Sequence, residues 1–141
     1  MPLITLAVCD DVRWELGKKL TLVGFYGRTI QVASVPITLP KLCIFAQFDP
    51  EPYERVSLRL IAPGDVLIME VLDQPAPECP KTEIPMEFVQ THLVFYVAPM
   101  VFSATGTYRV EYSFQRGPTY KSSFYVGLDP SLGIGTVPPA V

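Results

Sequence analysis

One histidine, three cysteines and fourteen carboxylates carry most of the chemistry open to this chain of 141 residues. A nucleophilic site needs a serine, cysteine or threonine beside a base that a third group orients. His92 is the only histidine, and within Met86 to Ala98 it shares a period-two face with Phe88, Gln90, Val94 and Tyr96. None of these is a nucleophile paired with an acid, and Cys43 or a serine would reach it only through the tertiary fold. A histidine seated on a sheet surface is the expectation, and no catalytic residue is assigned. Asp10, Asp11, Asp49, Glu51, Glu54, Asp65 and Asp73 fall mostly at strand ends. Sandwich loops that cluster such residues can supply the six to eight oxygens calcium takes, but no D-x-D-x-D spacing occurs. Nothing sets two of these carboxylates together as a glycosidase pair, so solvated turn residues are expected. Gly133-Ile134-Gly135 has no helix after it and is not a nucleotide fingerprint. The expectation is no enzyme, no metal and no cofactor.

Cys9, Cys43 and Cys79 are odd in number and show no C-x-x-C spacing, which removes zinc and thioredoxin-like readings. Cys9 and Cys43 lie in apolar runs, where a thiol packs as a small hydrophobe. Cys79 lies in the proline-rich stretch Gln74 to Pro80 and is the one expected in solvent. The net charge is −3 and the longest cationic cluster is Lys18-Lys19, so no basic face for nucleic acid is expected. No apolar run reaches the ~18 residues of a membrane span. Leu6-Ala7-Val8-Cys9 looks like a lipoprotein cleavage box, but no basic segment precedes it and the apolar stretch is short. It reads as a first strand, and the protein is expected in the cytoplasm.

The elements that would position these residues are strands. Fifteen prolines and nine glycines suit short strands joined by many turns. The cleanest alternation is Tyr108 to Phe114, with Tyr108, Val110, Tyr112 and Phe114 on one face and Arg109, Glu111 and Ser113 on the other. Leu3 to about Val12 reads as a strand, and Asp11 to Gly17 as one helical turn or a hairpin connection. Lys18 to Tyr26 and Arg28 to Val32 are extended around Gly27. Pro36 and Pro40 frame Ile37 to Leu39. Leu42 to Phe48 is apolar enough to be a central strand covered on both faces. Tyr53 to Ile61 points Val56, Leu58 and Leu60 inward. Ala62-Pro63-Gly64-Asp65 has the chemistry of a type II reversal into Asp65 to Leu72. Gln74 to Pro85 is a loop, Met86 to Ala98 the longest strand candidate, and Thr119 to Val126 the last strand. Eight or nine strands are expected in one antiparallel β-sandwich over residues 1–127, followed by a flexible Pro/Gly tail over 128–141.

The last hairpin permits a register argument. Tyr108, Val110, Tyr112 and Phe114 are even-numbered, as are Tyr120, Phe124 and Val126. Opposed residues share a face, so even pairs with even and the loop holds an odd number of residues. A loop of Arg116-Gly117-Pro118 sets Phe114 opposite Tyr120, Val110 opposite Phe124, Arg109 against Tyr125 and Ser113 against Lys121.

Gly106-Thr107-Tyr108-Arg109-Val110 resembles the Gly-x-Tyr-x-(Cys or Val) entry to the sixth strand of immunoglobulin-like domains. The resemblance implies a tyrosine hydroxyl tied back to the backbone at the corner, in an immunoglobulin-like sandwich. Val110 replaces the second cysteine and Trp14 lies too early for the usual core tryptophan, so an antibody-type domain is not implied. Val8-Cys9-Asp10-Asp11-Val12-Arg13, Lys19 to Gly24 and Leu39-Pro40-Lys41-Leu42-Cys43 resemble a family of small bacterial and phage-associated proteins. That resemblance brings no assigned activity and no site residues.

A protein-binding or structural module, engaging a protein partner or a second copy of itself, is the functional expectation. Trp14, Tyr53 and Tyr125, with Arg55, Arg59, Arg109 and Lys121, are candidates for its surface, because exposed aromatics and arginines anchor interfaces. An unpaired sheet edge is the other natural docking surface. A small-ligand or glycan site using Trp14 and the strand-end loops is the alternative.

Overall fold

The alternation from Tyr108 to Phe114 is realised as a strand whose Tyr108, Val110 and Tyr112 are fully buried. The computed structural model describes residues 3–16, 19–49, 55–75 and 83–133. Tyr53, Glu51, Glu54 and Cys79 fall outside the described residues. Twelve strands lie among the described residues: β1 (Leu3–Cys9), β2 (Asp11–Glu15), β3 (Lys19–Val23), β4 (Thr29–Val32), β5 (Ile37–Leu39), β6 (Leu42–Phe48), β7 (Arg55–Ala62), β8 (Val66–Pro75), β9 (Thr91–Val97), β10 (Met100–Phe102), β11 (Gly106–Phe114) and β12 (Thr119–Leu128). The only helical pieces described are 3-10 turns at Met86–Phe88 and Pro130–Gly133. The protein is all-β.

The strands form a three-stranded sheet in the order β1-β6-β9 and a five-stranded sheet in the order β4-β12-β11-β7-β8. Two smaller pairs, β2-β3 and β5-β10, complete the described structure. Both larger sheets contribute to one buried cluster. Ile44, Ala46 and Phe48 come from β6, Val56 and Leu58 from β7, and Tyr112 from β11. β6 explains its own apolar run. Its even residues enter this main core, while Cys43 and Phe45 point the other way into a second cluster with Ala7, Cys9 and Val12. The expected double burial of Leu42 to Phe48 is therefore present, and the cover on the outer face is the β2–β3 hairpin.

Several expectations are corrected. Twelve strands stand among the described residues where eight or nine were expected, because the chain bends more often than its apolar runs suggest. The sheets are not wholly antiparallel, since β4 runs parallel to β12. The first strand stops at Cys9, and Asp11–Glu15 is a strand of a hairpin with β3, not a helical turn. The break sits where Asp10 turns its N–H to the Val23 and Gly24 carbonyls and its carboxylate to the Tyr26 hydroxyl. Gly24 lies in the left-handed region at φ +64, and a Cβ there would strike the Asp10 carboxylate. Met86 to Ala98 is not one strand: the 3-10 turn occupies its start. The Pro63-Gly64-Asp65 reversal joins Ala62 to Val66 through three residues, with Gly64 and Asp65 both at positive φ. Pairing also runs past residue 127. β12 reaches Leu128 opposite Val32, and Asp129 N–H donates to the Val32 carbonyl.

The β11–β12 register keeps even with even but shifts the pairs by two. Tyr112 faces Tyr120, Tyr108 faces Phe124, Arg109 faces Ser123 and Ser113 faces Thr119. The cause is Pro118. It lacks an N–H, yet its carbonyl accepts from Phe114 N–H at 3.1 Å, so it belongs to the ladder and not to the loop. Arg116 takes the left-handed position at φ +58, and Gly117 N–H closes the turn on the Phe114 carbonyl.

Candidate functional site

The outer face of the three-stranded sheet is built in rungs. Cys9, Cys43 and Tyr96 align, as do Ala7, Phe45 and Val94, and then Gln47 and His92. The hairpin lies over the first two rungs because β2 and β3 turn the same period-two rows toward them: Val12 opposite Leu22, and Trp14 opposite Leu20. Val12, Leu20 and Leu22 join the cluster beneath. The hairpin does not cover the last rung, and an open groove of about 460 Å³ remains there. Leu20 and Leu22 form one wall, Phe45, Gln47 and His92 the floor, and Phe88 and Gln90 the far wall.

The groove is aromatic and uncharged apart from what His92 can carry. The His92 ring stacks on Phe45 at 5.4 Å and meets the Trp14 ring edge-on at 6.4 Å. Burial lowers the His92 pKa below its usual value, so the ring is neutral near pH 7. The Gln47 side-chain amide donates to the Gln90 side-chain carbonyl across the floor. Trp14 is 66% exposed and Phe88 72%, so two large rings stand on the rim with most of their surface in solvent. Leucine and aromatic side chains with two amides can hold an apolar or hydrogen-bonding group.

At the other end of the same face, Lys41 pairs with Asp11 at 3.1 Å and sits over the Tyr96 ring at 5.1 Å. The Lys41 ammonium and the Val12 N–H hold the Asp11 carboxyl below the usual carboxylate range. Cys9 and Cys43 stand directly opposite each other as free, buried thiols, and burial is the largest cause of the rise in both pKa values, that of Cys43 to about 12.

The structure divides the residues expected to form one surface. Trp14 stands beside the groove, with its ring against that of His92. Arg59, Arg109, Lys121 and Tyr125 lie on the outer face of the five-stranded sheet. There Arg59 pairs with Glu70 at 3.1 Å and Arg109 with Asp65 at 2.9 Å, while Lys121 faces Glu111 in register. Arg55 donates to the Asp73 carbonyl at 3.2 Å. The three arginines are engaged by neighbouring residues, and Tyr125, half exposed, lies on the same face. The acidic strand ends are likewise dispersed. Asp10 meets Tyr26, Asp11 meets Lys41 and Asp65 meets Arg109. Among the described residues no three of His, Cys, Asp and Glu gather as metal ligands.

Sequence reasoning missed Phe45, Phe88, Gln47 and Gln90 as site residues. The shared face of Phe88, Gln90 and His92 was the available signal. The sheet edge beside the groove also carries information. β9 pairs with β6 through seven unbroken residues, and no described strand pairs with its other side. β8, the edge of the five-stranded sheet, is interrupted twice by register shifts. β1 has Tyr26 N–H bonded to Val8 and a bridge from Val8 to Gly27 on its free side. β4 is four residues long.

No helix among the described residues is long and apolar enough to cross a membrane. A search of curated proteins finds no match to this chain. Residues 4–126 match the family of unknown function DUF6941, and the chain belongs to that family.

Proposed function

We propose that this DUF6941 member is a non-enzymatic protein-binding module whose docking strand is β9. The observation that carries the reading is the contrast between edges. Among the edges of the two larger sheets, β9 combines an unbroken register of seven residues with a side that no described strand pairs, and β4, the other edge with an unbroken register, is four residues long. Edge strands are normally blunted by bulges, charges or covers, and the edges of β8, β1 and β4 show a bulge, a cover or short length. None of Thr91 to Val97 is Asp, Glu, Lys or Arg. Strand addition takes affinity from the main chain and specificity from adjoining pockets, and the groove at the start of β9 supplies such a pocket.

The frame around this edge reads as an immunoglobulin-like sandwich of the two larger sheets. The Tyr108 hydroxyl donating to the Ala104 carbonyl at 2.7 Å supports that topology. A reducing compartment such as the cytoplasm suits the two free buried thiols. A bacterial or phage setting rests on the resemblance of the Val8–Arg13 and Lys19–Gly24 segments.

The test is capture from native lysate with the wild-type chain and with a chain carrying both His92→Lys and Tyr96→Lys. A stoichiometric partner held by the first and lost by the second is expected. A partner held equally by both, or a chain that captures nothing and stays monomeric, contradicts the reading.

A second reading has its own observation. The groove's volume lies within the roughly 300–1,000 Å³ of small-molecule sites, and its neutral rings and amides suit an uncharged ligand such as a sugar. Such a ligand would raise the melting temperature; a flat response across neutral sugars and aromatics sinks it.

A further inference from the structure

We propose that Cys9 and Cys43 are a reversible redox site: a disulfide closes between them when the chain folds in the presence of a small oxidised disulfide, and its closure acts on the β2–β3 hairpin above them. The two residues stand directly opposite each other in the β1–β6 register, and both thiols are free and fully buried. The neighbouring backbone defines the kind of pair they make. The Val8 carbonyl accepts from Tyr26 N–H at 3.0 Å, and Asp10 N–H donates to the Val23 carbonyl at 2.9 Å, so Val8 and Asp10 turn their backbone groups away from β6. Cys9, between them, turns its own toward Cys43. A hydrogen-bonded pair of this kind sets its Cα atoms about 5.5 Å apart, inside the range that disulfides span. Its Cβ atoms stand roughly 5 Å apart or slightly more, whereas a relaxed disulfide holds them at about 3.8 Å. Closing the bond therefore draws the strands together by roughly 1 Å, and strained disulfides are the readily reduced ones.

Thiol–disulfide exchange closes the bond with no further reactant. One cysteine thiolate attacks the small disulfide RSSR, forms a mixed disulfide and releases RS⁻, which takes up the proton the cysteine lost. The second thiolate attacks the cysteine sulfur of that mixed disulfide, closes Cys9 to Cys43 and releases the second RSH. Two protein thiols are oxidised and one small disulfide is reduced. Val12, Leu20 and Leu22 pack over the pair in the folded chain, so exchange takes place while β1, β6 and the hairpin are assembling or apart. Each cysteine lies two residues from one member of the ion pair at the root of the hairpin. Asp11 opens β2, Lys41 directly precedes β6, and their charged groups are 3.1 Å apart. The Cys9 thiol also donates to the Asp11 carbonyl at 3.4 Å. A disulfide has no proton to donate, so oxidation removes this tie as it shifts the floor beneath Val12. The same hairpin carries Trp14, whose ring rests against His92, and Leu20 and Leu22, one wall of the groove. The redox state of the pair thereby reaches the groove, whatever binds β9.

The test brings the wild-type chain to equilibrium in mixtures of reduced and oxidised glutathione, from the unfolded chain and from the folded one. Acid-quenched samples are mapped without reduction by mass spectrometry. A crosslink between Cys9 and Cys43 is expected in the oxidising mixtures, and its loss in the mixtures dominated by millimolar reduced glutathione. No crosslink by either route, or crosslinks only to Cys79, overturns the site. A crosslink that persists in millimolar reduced glutathione overturns its reversibility and makes the bond a fixed staple. Trp14 emission, read on the same samples after removal of glutathione, is expected to differ between the crosslinked and the reduced chain. A Cys43→Ser chain carried through the same mixtures is expected to show no such difference. Should that variant fail to fold, reduction of the crosslinked wild type by a phosphine serves as the control, and emission is expected to return to the reduced value. Identical emission from crosslinked and reduced wild type overturns the link to the hairpin.

Discussion

The Trp14 ring meets the His92 ring edge-on at 6.4 Å, which ties the end of β2 to β9. Trp14 is the only tryptophan, so its fluorescence reports this one contact. A protonated imidazole quenches a neighbouring indole. Emission is expected to fall on acidification, with a midpoint below the usual histidine value of 6.5, because burial disfavours the charged ring. His92→Phe should abolish the transition. A midpoint above 6.5 contradicts the account.

The same depression has a stability consequence. The unfolded chain binds the His92 proton more readily than the folded one, so the fold loses stability as pH falls through about 6.5 and stops losing it below the folded pKa. Urea melts of wild type and His92→Phe across this window measure the difference. Identical pH dependence in the two chains counts against it.

Two tyrosines on one strand are expected to respond oppositely to loss of the hydroxyl. Both are fully buried. Tyr108 donates to the Ala104 carbonyl, whereas the Tyr112 hydroxyl has no partner among the described residues. Tyr108→Phe should cost about 1 kcal/mol, and Tyr112→Phe should gain about 1 kcal/mol by relieving an unpaired buried polar group. Denaturant melts check the sign of each.

Cys9 and Cys43 should resist alkylation in the folded protein. Both thiols are buried and their pKa values raised, so little thiolate forms near pH 7 and reagent cannot reach it. Peptide mapping after iodoacetamide should find them unmodified until denaturant is added. Rapid native labelling of either contradicts the packing of the second cluster.

Trp14→Ala and Phe88→Ala separate binding from folding. Each side chain is mostly exposed, so stability should shift by less than about 0.5 kcal/mol. As rim anchors of the groove they should each weaken partner binding by about 2 kcal/mol, roughly thirtyfold. Calorimetry and melting on the same samples check both numbers.

The inward rows of β7 and β11 were legible because a half-buried strand must alternate. The doubly covered β6 was legible because it does not alternate. Parity requires an odd loop but does not say which three residues fill it, and the Pro118 carbonyl, bonded to Phe114 N–H, moves the loop to Gln115-Arg116-Gly117. Arg59 and Arg109 read as outward-facing cations, and their pairing with Glu70 and Asp65, on or beside other strands, is a tertiary fact that no local pattern announces. The groove was largely illegible for the same reason: its walls come from β3, β6, β9 and the Met86–Phe88 turn, and no local period announces that a hairpin stops one rung short. His92 and Phe88 shared a face in the sequence, but only the position of β2 and β3 makes that face a groove.

The most direct test of the docking edge is residue-resolved amide exchange across β9 in dilute wild-type protein. Alternate amides from Thr91 to Val97 are bonded to β6 and should exchange slowly, while those between them should exchange rapidly and gain protection when a partner binds. Uniform slow exchange along β9 in the dilute monomer would mean that its free side is already covered, and would contradict the account.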